Sequence, residues 1–528
     1  MADRLQIKAV VNSVEIFTQF QVAMKELTNR DLHKKVGNLG PLASCCEMLA
    51  KAEVRTIIVQ TGVHDPDFLA EFSAYYSRQF APVPRSCTRL HFFKQVADEG
   101  QQVLDFLDSV DKNNYLGFIT LRPVIKSPIG ASILSVSIVD GYMRCVDSFP
   151  VHIAGVEFHV VGTPFMQQDN AVGACAQASI WMALRTLRRR EGDRAYDPAQ
   201  ITDAATKYFV TGRVRPNRGG LTLQQMIEAV RAAGYSSHAI PLGTWFNNNE
   251  PQMNQSEILD SLKMIHAYIE SEIPVLLLLF PPSGGHAVVA IGHTWDSNKP
   301  LQVQVPVELD DGQRLNFPHA ASWVPSLVIH NDNSGPYRDF PAAAVPGYCF
   351  QHAAYAIPLL PVDVFMTGEE AMVIASVFLA DLFLSLKQGG IRDAAELDVL
   401  VASLTLRLLL VEKRKLRKWA ATETMVPELK DKLRLMELPK RVWLLEIHQS
   451  HEYGNQADGN IPNSLIGIML IDPTADVHIM SMLLIHWNLP ALLGLDHGVL
   501  LTWDTSVGVP DEGIQTNDVA PMSPIRMK

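Results

Sequence analysis

Residues 165–190 read FMQQDNAVGACAQASIWMALRTLRRR, a polar loop with two glutamines that leads into Cys175 and then into a helical pattern. Ile180, Ala183, Leu184 and Leu187 recur at i, i+3, i+4 and i+7, which predicts an amphipathic helix buried along one face. A cysteine on the first turn of such a helix has free backbone N–H groups and the positive end of the helix dipole near its sulfur, and both favour the thiolate that attacks carbon. Taken alone, Cys175 is as well explained as a packed core thiol, the ordinary state of a free cysteine. The partners supplied further along the chain separate the two readings.

Downstream, LTLQQMIEAVRAAGY places Met226, Ile227 and Val230 on one helical stripe that stops at Gly234, and residues 256–271 read as another helix with Ser256 as its N-cap. IPVLLLLF, residues 273–280, is a continuous apolar run that suits a strand buried on both faces. The turn PPSGG then delivers His286 at the start of HAVVAIGHTW, a second strand antiparallel to the first. SLVIHNDN, residues 326–333, is a third strand that ends in the turn signal SGPY, and residues 297–325 read as a strand and a loop.

A thiol hydrolase needs a base for the thiol proton, a group that orients that base and donors for the oxyanion. Gln168, Cys175, His286 and then Asn331 or Asp332 occur in that order. This order, with the wording QDNAVGACAQAS, GGLTLQQMIEAVRAAGY, IPVLLLLFPPSGGHAVVAIG and VIHNDNSGPY, resembles the papain-like cysteine peptidases, nearest the bacterial C39-like branch, over about residues 160–358. The resemblance implies an α+β fold of two lobes, a helical lobe with the Cys and an antiparallel sheet lobe with the His and Asn or Asp, with the substrate cleft between them. It implies Cys175 as nucleophile, His286 as base and then acid, and Asn331 or Asp332 as the group that fixes the imidazole. Gln168 and the Cys175 N–H would form the oxyanion hole, with Gln167 and Asn170 as rivals to Gln168. Gln168 lies one position further from the Cys than is usual in the family, which requires a bulged loop. Ala176 stands where the family often has glycine.

Neighbours in a strand point to opposite faces, so only one of Asn331 and Asp332 is expected to face His286; His330 and Asn333 are lesser candidates. The implied activity is peptide hydrolysis through a thioester. The same site would serve acyl transfer, deamidation or removal of a ubiquitin-like modifier, and a chain that lost the chemistry would be a binding or scaffold protein.

The 528 residues, 47% hydrophobic and 19% charged, suggest a globular chain of several domains. The net charge of -11 argues against a nucleic-acid partner, and the basic runs 188–190 and 413–418 read as solvated helix faces. Six cysteines without a CxxC pair read as reduced thiols rather than a disulfide or zinc framework. EIHQSHEYG brings His448, His451 and Glu452 together in an order that zincins do not use, so no metal or cofactor is expected. Charged residues in MADRLQIKAVVNSVEIF and polar breaks in the apolar stretches 371–386 and 479–495 predict neither a secretory signal nor a membrane span. A cytoplasmic location follows as an expectation, a bacterial source is implied by the resemblance, and the expected partner is a protein or peptide substrate, with the flanking regions available to a protein partner.

The expected organisation is a mainly helical region 1–114, a β-rich lead-in 115–160, the papain-like domain 161–360, an α+β region 361–505 and a disordered tail 506–528. In the N-terminal region helices are expected at 14–27, 67–80 and 92–110, and in the C-terminal region at 367–386, 393–420 and 427–436.

Overall fold

The structure, a computed structural model, describes residues 4–32, 39–80, 82–169, 175–191, 196–208, 220–243, 253–281, 284–308, 312, 314–388, 394–423, 427–455, 464–474, 481–486, 500–504 and 525. The chain is mixed α+β. Its central element is an eight-stranded antiparallel sheet whose main path runs Ile240–Pro241, Ala353–Pro361, Val275–Leu279, His286–His293, Ser326–Asn331, Gly335–Pro341. The apolar run 275–279 and the strand after it form the expected hairpin, with Leu279 opposite His286. All thirteen of their residues are buried, and for that reason neither strand alternates in sequence.

The helix Cys175–Glu191 packs across the His286 strand. Ile180, Ala183, Leu184 and Leu187 are all buried, as their spacing requires. Burial of each large aliphatic side chain contributes about 1.5–3 kcal/mol, enough to hold this helix against the sheet. Trp181 is also buried and its indole N–H donates to Asp67. The helix Gln255–Glu270 is capped by Asn254, not by Ser256, because Glu257 completes a reciprocal capping box with the asparagine.

Residues 1–114 differ from the mainly helical expectation. Three strands, Leu5–Ala9, Thr56–Val63 and Cys87–Phe93, join Tyr115–Leu121 and Ile133–Leu134 in a five-stranded antiparallel sheet, in that order, with helices Ser13–Thr28, Gly40–Lys51, Pro66–Ala74 and Val103–Ser109. The expected helix over 92–110 begins only at Val103, since the β-forming run CTRLHFF pairs on both sides.

A similar difference appears near the C-terminus, where the expected helix 393–420 is divided by the strand Leu404–Glu412. LTLRLLLVE is buried along almost its whole length and pairs with Arg441–Gln449, and tertiary burial overrides its helix propensity. That strand opens a second five-stranded sheet with Arg441–Gln449, Leu465–Ile471, Ser481–His486 and Leu500–Asp504. Within residues 297–325 the strands Gln304–Glu308 and Arg314–Pro318 form a two-stranded ribbon instead of one strand and a loop. Of the tail 506–528 only Ile525 is among the described residues; it is buried, and its N–H donates to Glu446.

One continuous apolar core includes Phe20 and Leu42 from the N-terminal region, Trp181 and Val288 from the centre, and Leu408 and Trp443 from the C-terminal region. Beside it, Arg407 is buried between Glu270 and Glu446, and Arg144 bonds Glu270 at 3.0 Å. Among the described residues no helix is long and apolar enough to cross a membrane.

Candidate active site

Three chain segments meet at the candidate site: the first turn of the 175–191 helix, the start of the 286–293 strand and the turn that follows Asn331. Cys175 is half-buried, whereas the other five cysteines are buried. The backbone N–H groups of Ala287, Ala176 and Cys175 itself act on its sulfur, so the thiol lies beside the residue that follows His286. The helix terminus does not make this a low-pKa thiol. Burial first, and the nearby Asp332 second, push it up to about 11, and the N–H groups offset only part of that.

His286 is buried at the mouth of the hairpin, with Nε2 at 3.0 Å from Asn331 Oδ1. Because Oδ1 is an acceptor, Nε2 carries the proton and Nδ1 is left with the lone pair. Burial lowers the imidazole pKa, and the Asn331 hydrogen bond works in the opposite direction. The tilted ring of Tyr348 stands 5.1 Å from the imidazole.

The expectation that only one of Asn331 and Asp332 faces His286 is not met. Asp332 Oδ1 lies 3.6 Å from the same Nε2. Strand alternation stops at Asn331, where the strand ends, and the chain then turns, with the Ser334 N–H donating to the Asn331 carbonyl and the Asn333 N–H to Asn331 Oδ1. Gly335 makes the return possible at φ 121; a Cβ there would meet Ser44 Oγ at 3.0 Å. Asp332 is buried, which raises its carboxyl to about 7, while its own N–H and that of Gln168 pull it down from beyond hydrogen-bond length.

Gln168 faces this turn, and its Nε2 donates to Asn333 Oδ1 at 3.1 Å. Asn333 Nδ2 in turn lies 3.4 Å from His286 Nδ1 and 3.4 Å from the Tyr348 hydroxyl. Gln167 points the other way, its Oε1 accepting from the Ile129 N–H at 3.5 Å. Asn170 lies outside the described residues. His330 is turned to the opposite side, where it bonds the Thr163 carbonyl and the Tyr337 N–H, each at 3.1 Å. Asn333 was a lesser candidate in the sequence, and Tyr348 had no signal there at all.

His448 does not join His451 and Glu452: it is buried against Ser464 and Glu446, whereas the exposed His451 lies 3.5 Å from Glu452. Among the described residues, His266, Glu270 and His293 are close enough to hold a metal ion. Glu270 already binds Arg144, Arg407 and His293; burial pushes its carboxyl up, but these partners outweigh it and hold it well below the usual range. A divalent cation would face two guanidinium groups, so this set is better explained as a buried ion network.

No family model and no curated protein matches the chain. Among solved structures, the peptidase domain of Streptococcus ComA, a bi-functional ABC transporter involved in quorum sensing, is similar over 37% of this chain and 96% of that domain. The identity is 14% and the TM-score 0.22. A likeness at that level decides nothing about this chain.

Proposed function

We propose that this chain is a cysteine hydrolase, a papain-like peptidase in which Cys175 attacks the carbonyl carbon of a protein or peptide substrate. The observation that carries the reading is the convergence of a helix-mounted cysteine, a neighbouring histidine whose Nε2 is held 3.0 Å from Asn331, and Asp332 at 3.6 Å. His286 Nδ1 takes the thiol proton as the sulfur–carbon bond forms, and the imidazolium returns that proton to the leaving amine as the carbon–nitrogen bond breaks. Water, deprotonated by His286, then attacks the thioester carbon, the carbon–sulfur bond breaks to release the acid, and the imidazolium returns the proton to the Cys175 sulfur. Gln168 and the Cys175 N–H serve as oxyanion donors, and Asn331 and Asp332 together orient and stabilise the imidazolium. The same thioester would support acyl transfer, deamidation or removal of a ubiquitin-like modifier.

A second reading, a binding or scaffold protein without turnover, is favoured by one observation: the thiol rests protonated, with its pKa pushed up to about 11. The two readings separate by alkylation of the full chain with iodoacetamide, mapped by mass spectrometry. For a hydrolase, Cys175 is labelled first at pH 8 and His286→Ala slows it about tenfold or more. Equal labelling of Cys175 in wild type and His286→Ala, at equal thermal stability, would sink the hydrolase, since exposure alone would then explain the reactivity.

A further inference from the structure

We propose that Arg122, at the end of the 115–121 strand of the first five-stranded sheet, is a positioning residue for the Cys175–His286 site, acting through the single peptide unit that joins Gln167 to Gln168. The inference rests on the hydrolase reading. Arg122 is buried just past the strand 115–121, and every arm of its guanidinium is engaged. Nε donates to the Ser127 carbonyl at 2.9 Å, Nη1 to both Glu71 oxygens at 3.2 and 3.0 Å, and Nη2 to the Gln167 carbonyl at 2.5 Å.

A trans peptide is planar, and its C=O and N–H point in opposite directions. With the Gln167 carbonyl fixed on Arg122, the Gln168 N–H is aimed the other way, and from beyond hydrogen-bond length it favours the ionised form of Asp332. The next side chain, Gln168, reaches Asn333, which contacts His286. One peptide plane is thus held at one edge by Arg122 and presented at the other to the site. The rest of the segment is anchored to the stretch that follows the same strand: Phe165 exchanges both backbone hydrogen bonds with Ser132, and the Gln167 N–H donates to Ile129. The positive charge at the carbonyl edge also polarises the peptide, strengthening its N–H toward an anion.

The helix Pro66–Ala74 provides an internal control. Glu71 holds Arg122, whereas Asp67, one turn away on the same helix, holds Trp181 and Arg185 on the Cys175 helix. The groups that act on Asp332 are its own N–H, the Gln168 N–H, His286 on its strand and Cys175 on its helix; behind the peptide stand Arg122 and Glu71, with Asp67 and Asp169 near Glu71. Burial raises Glu71 to about 7, so it can take up a proton when Arg122 is removed, and Arg122→Gln need not leave a buried charge behind.

The test uses the full chain and p-nitrophenyl acetate, a small ester that needs only the thiol and its base. Wild type, Cys175→Ala, Arg122→Gln, Arg122→Lys and Asp67→Asn are compared in ester turnover across pH 5–9, with thermal unfolding alongside. Arg122→Gln is expected to lose about tenfold or more in kcat, with KM little changed, since a small displacement at the site is costly. The acid limb of its pH profile moves to higher pH, because Asp332 loses an oriented N–H and holds its proton longer. Arg122→Lys recovers part of the rate, and Asp67→Asn lowers the melting temperature without moving the limb. A folded Arg122→Gln with the wild-type profile overturns the inference. If Arg122→Gln does not fold, a folded Arg122→Lys with the wild-type rate and limb overturns it equally, and a slower, shifted Arg122→Lys supports it. Turnover that survives Cys175→Ala refutes the hydrolase reading instead, which keeps the two failures apart.

Discussion

Asp332→Asn should make the protein more stable and less active, and both effects should depend on pH in a way the structure specifies. The carboxyl is raised by burial from 3.8 to about 7, so it is largely neutral at pH 6 and ionised at pH 8. At 3.6 Å from His286 Nε2, and with an effective dielectric of about 20, an ionised Asp332 attracts an imidazolium by about 4–5 kcal/mol. That bounds the loss in ester turnover at pH 8 at about a few thousandfold. Asn331 still orients the ring, so the observed loss should fall below that bound but exceed about tenfold. At pH 6 the wild-type carboxyl is itself protonated, and the two proteins should differ by only a few-fold. The stability effect has the opposite sign: a folded-state pKa above the unfolded one means that this group's contribution is lost as pH rises toward and through about 7. Replacing it with asparagine removes that loss, by at most about 4 kcal/mol at pH 8, less the amide's own burial cost, and by little at pH 4. Urea unfolding at pH 4 and 8, with ester turnover at pH 6 and 8, measures both. An equal loss of turnover at the two pH values, or none at pH 8, would refute the reasoning and leave the imidazole to Asn331 alone.

Three further substitutions test other parts of the structure. Gln168→Ala removes the proposed oxyanion donor and the tether on Asn333, and should lower kcat by about 10²–10³ with KM little changed, whereas Gln167→Ala, whose side chain faces Ile129, should leave kcat within a few-fold; ester kinetics distinguish them. Arg407→Ala leaves Glu270 and Glu446 buried without their shared cation and should cost about 3–5 kcal/mol in urea unfolding, and a loss below about 1 kcal/mol would show that these carboxyls find other partners.

Much of the framework was legible in the amino-acid order. The 3.6-residue spacing of Ile180, Ala183, Leu184 and Leu187 identifies the helix behind Cys175, and two apolar runs joined through Gly284 and Gly285 identify the hairpin that starts at His286. These are local patterns, written within one element or across one turn. The order of Cys175, His286, Asn331 and Asp332 was visible for the same reason, as each sits at the end of such an element. Leu404–Glu412 was not legible as a strand, because a segment buried on both faces shows neither alternation nor a helical stripe.

Long-range contacts set the remaining features. Helix position alone suggested a reactive, acidic thiol at Cys175, but burial and Asp332, far away in the chain, push it up to about 11. Both Asn331 and Asp332 reach His286 because the strand ends between them, a boundary set by the hairpin and Gly335 rather than by the residues themselves. Arg122 meets Gln167 across 45 positions of chain, and no local pattern marks that pair. Spacing along a chain records which face of an element is apolar; desolvation, charge pairing and the orientation of one peptide plane arise only when elements distant in sequence are packed together.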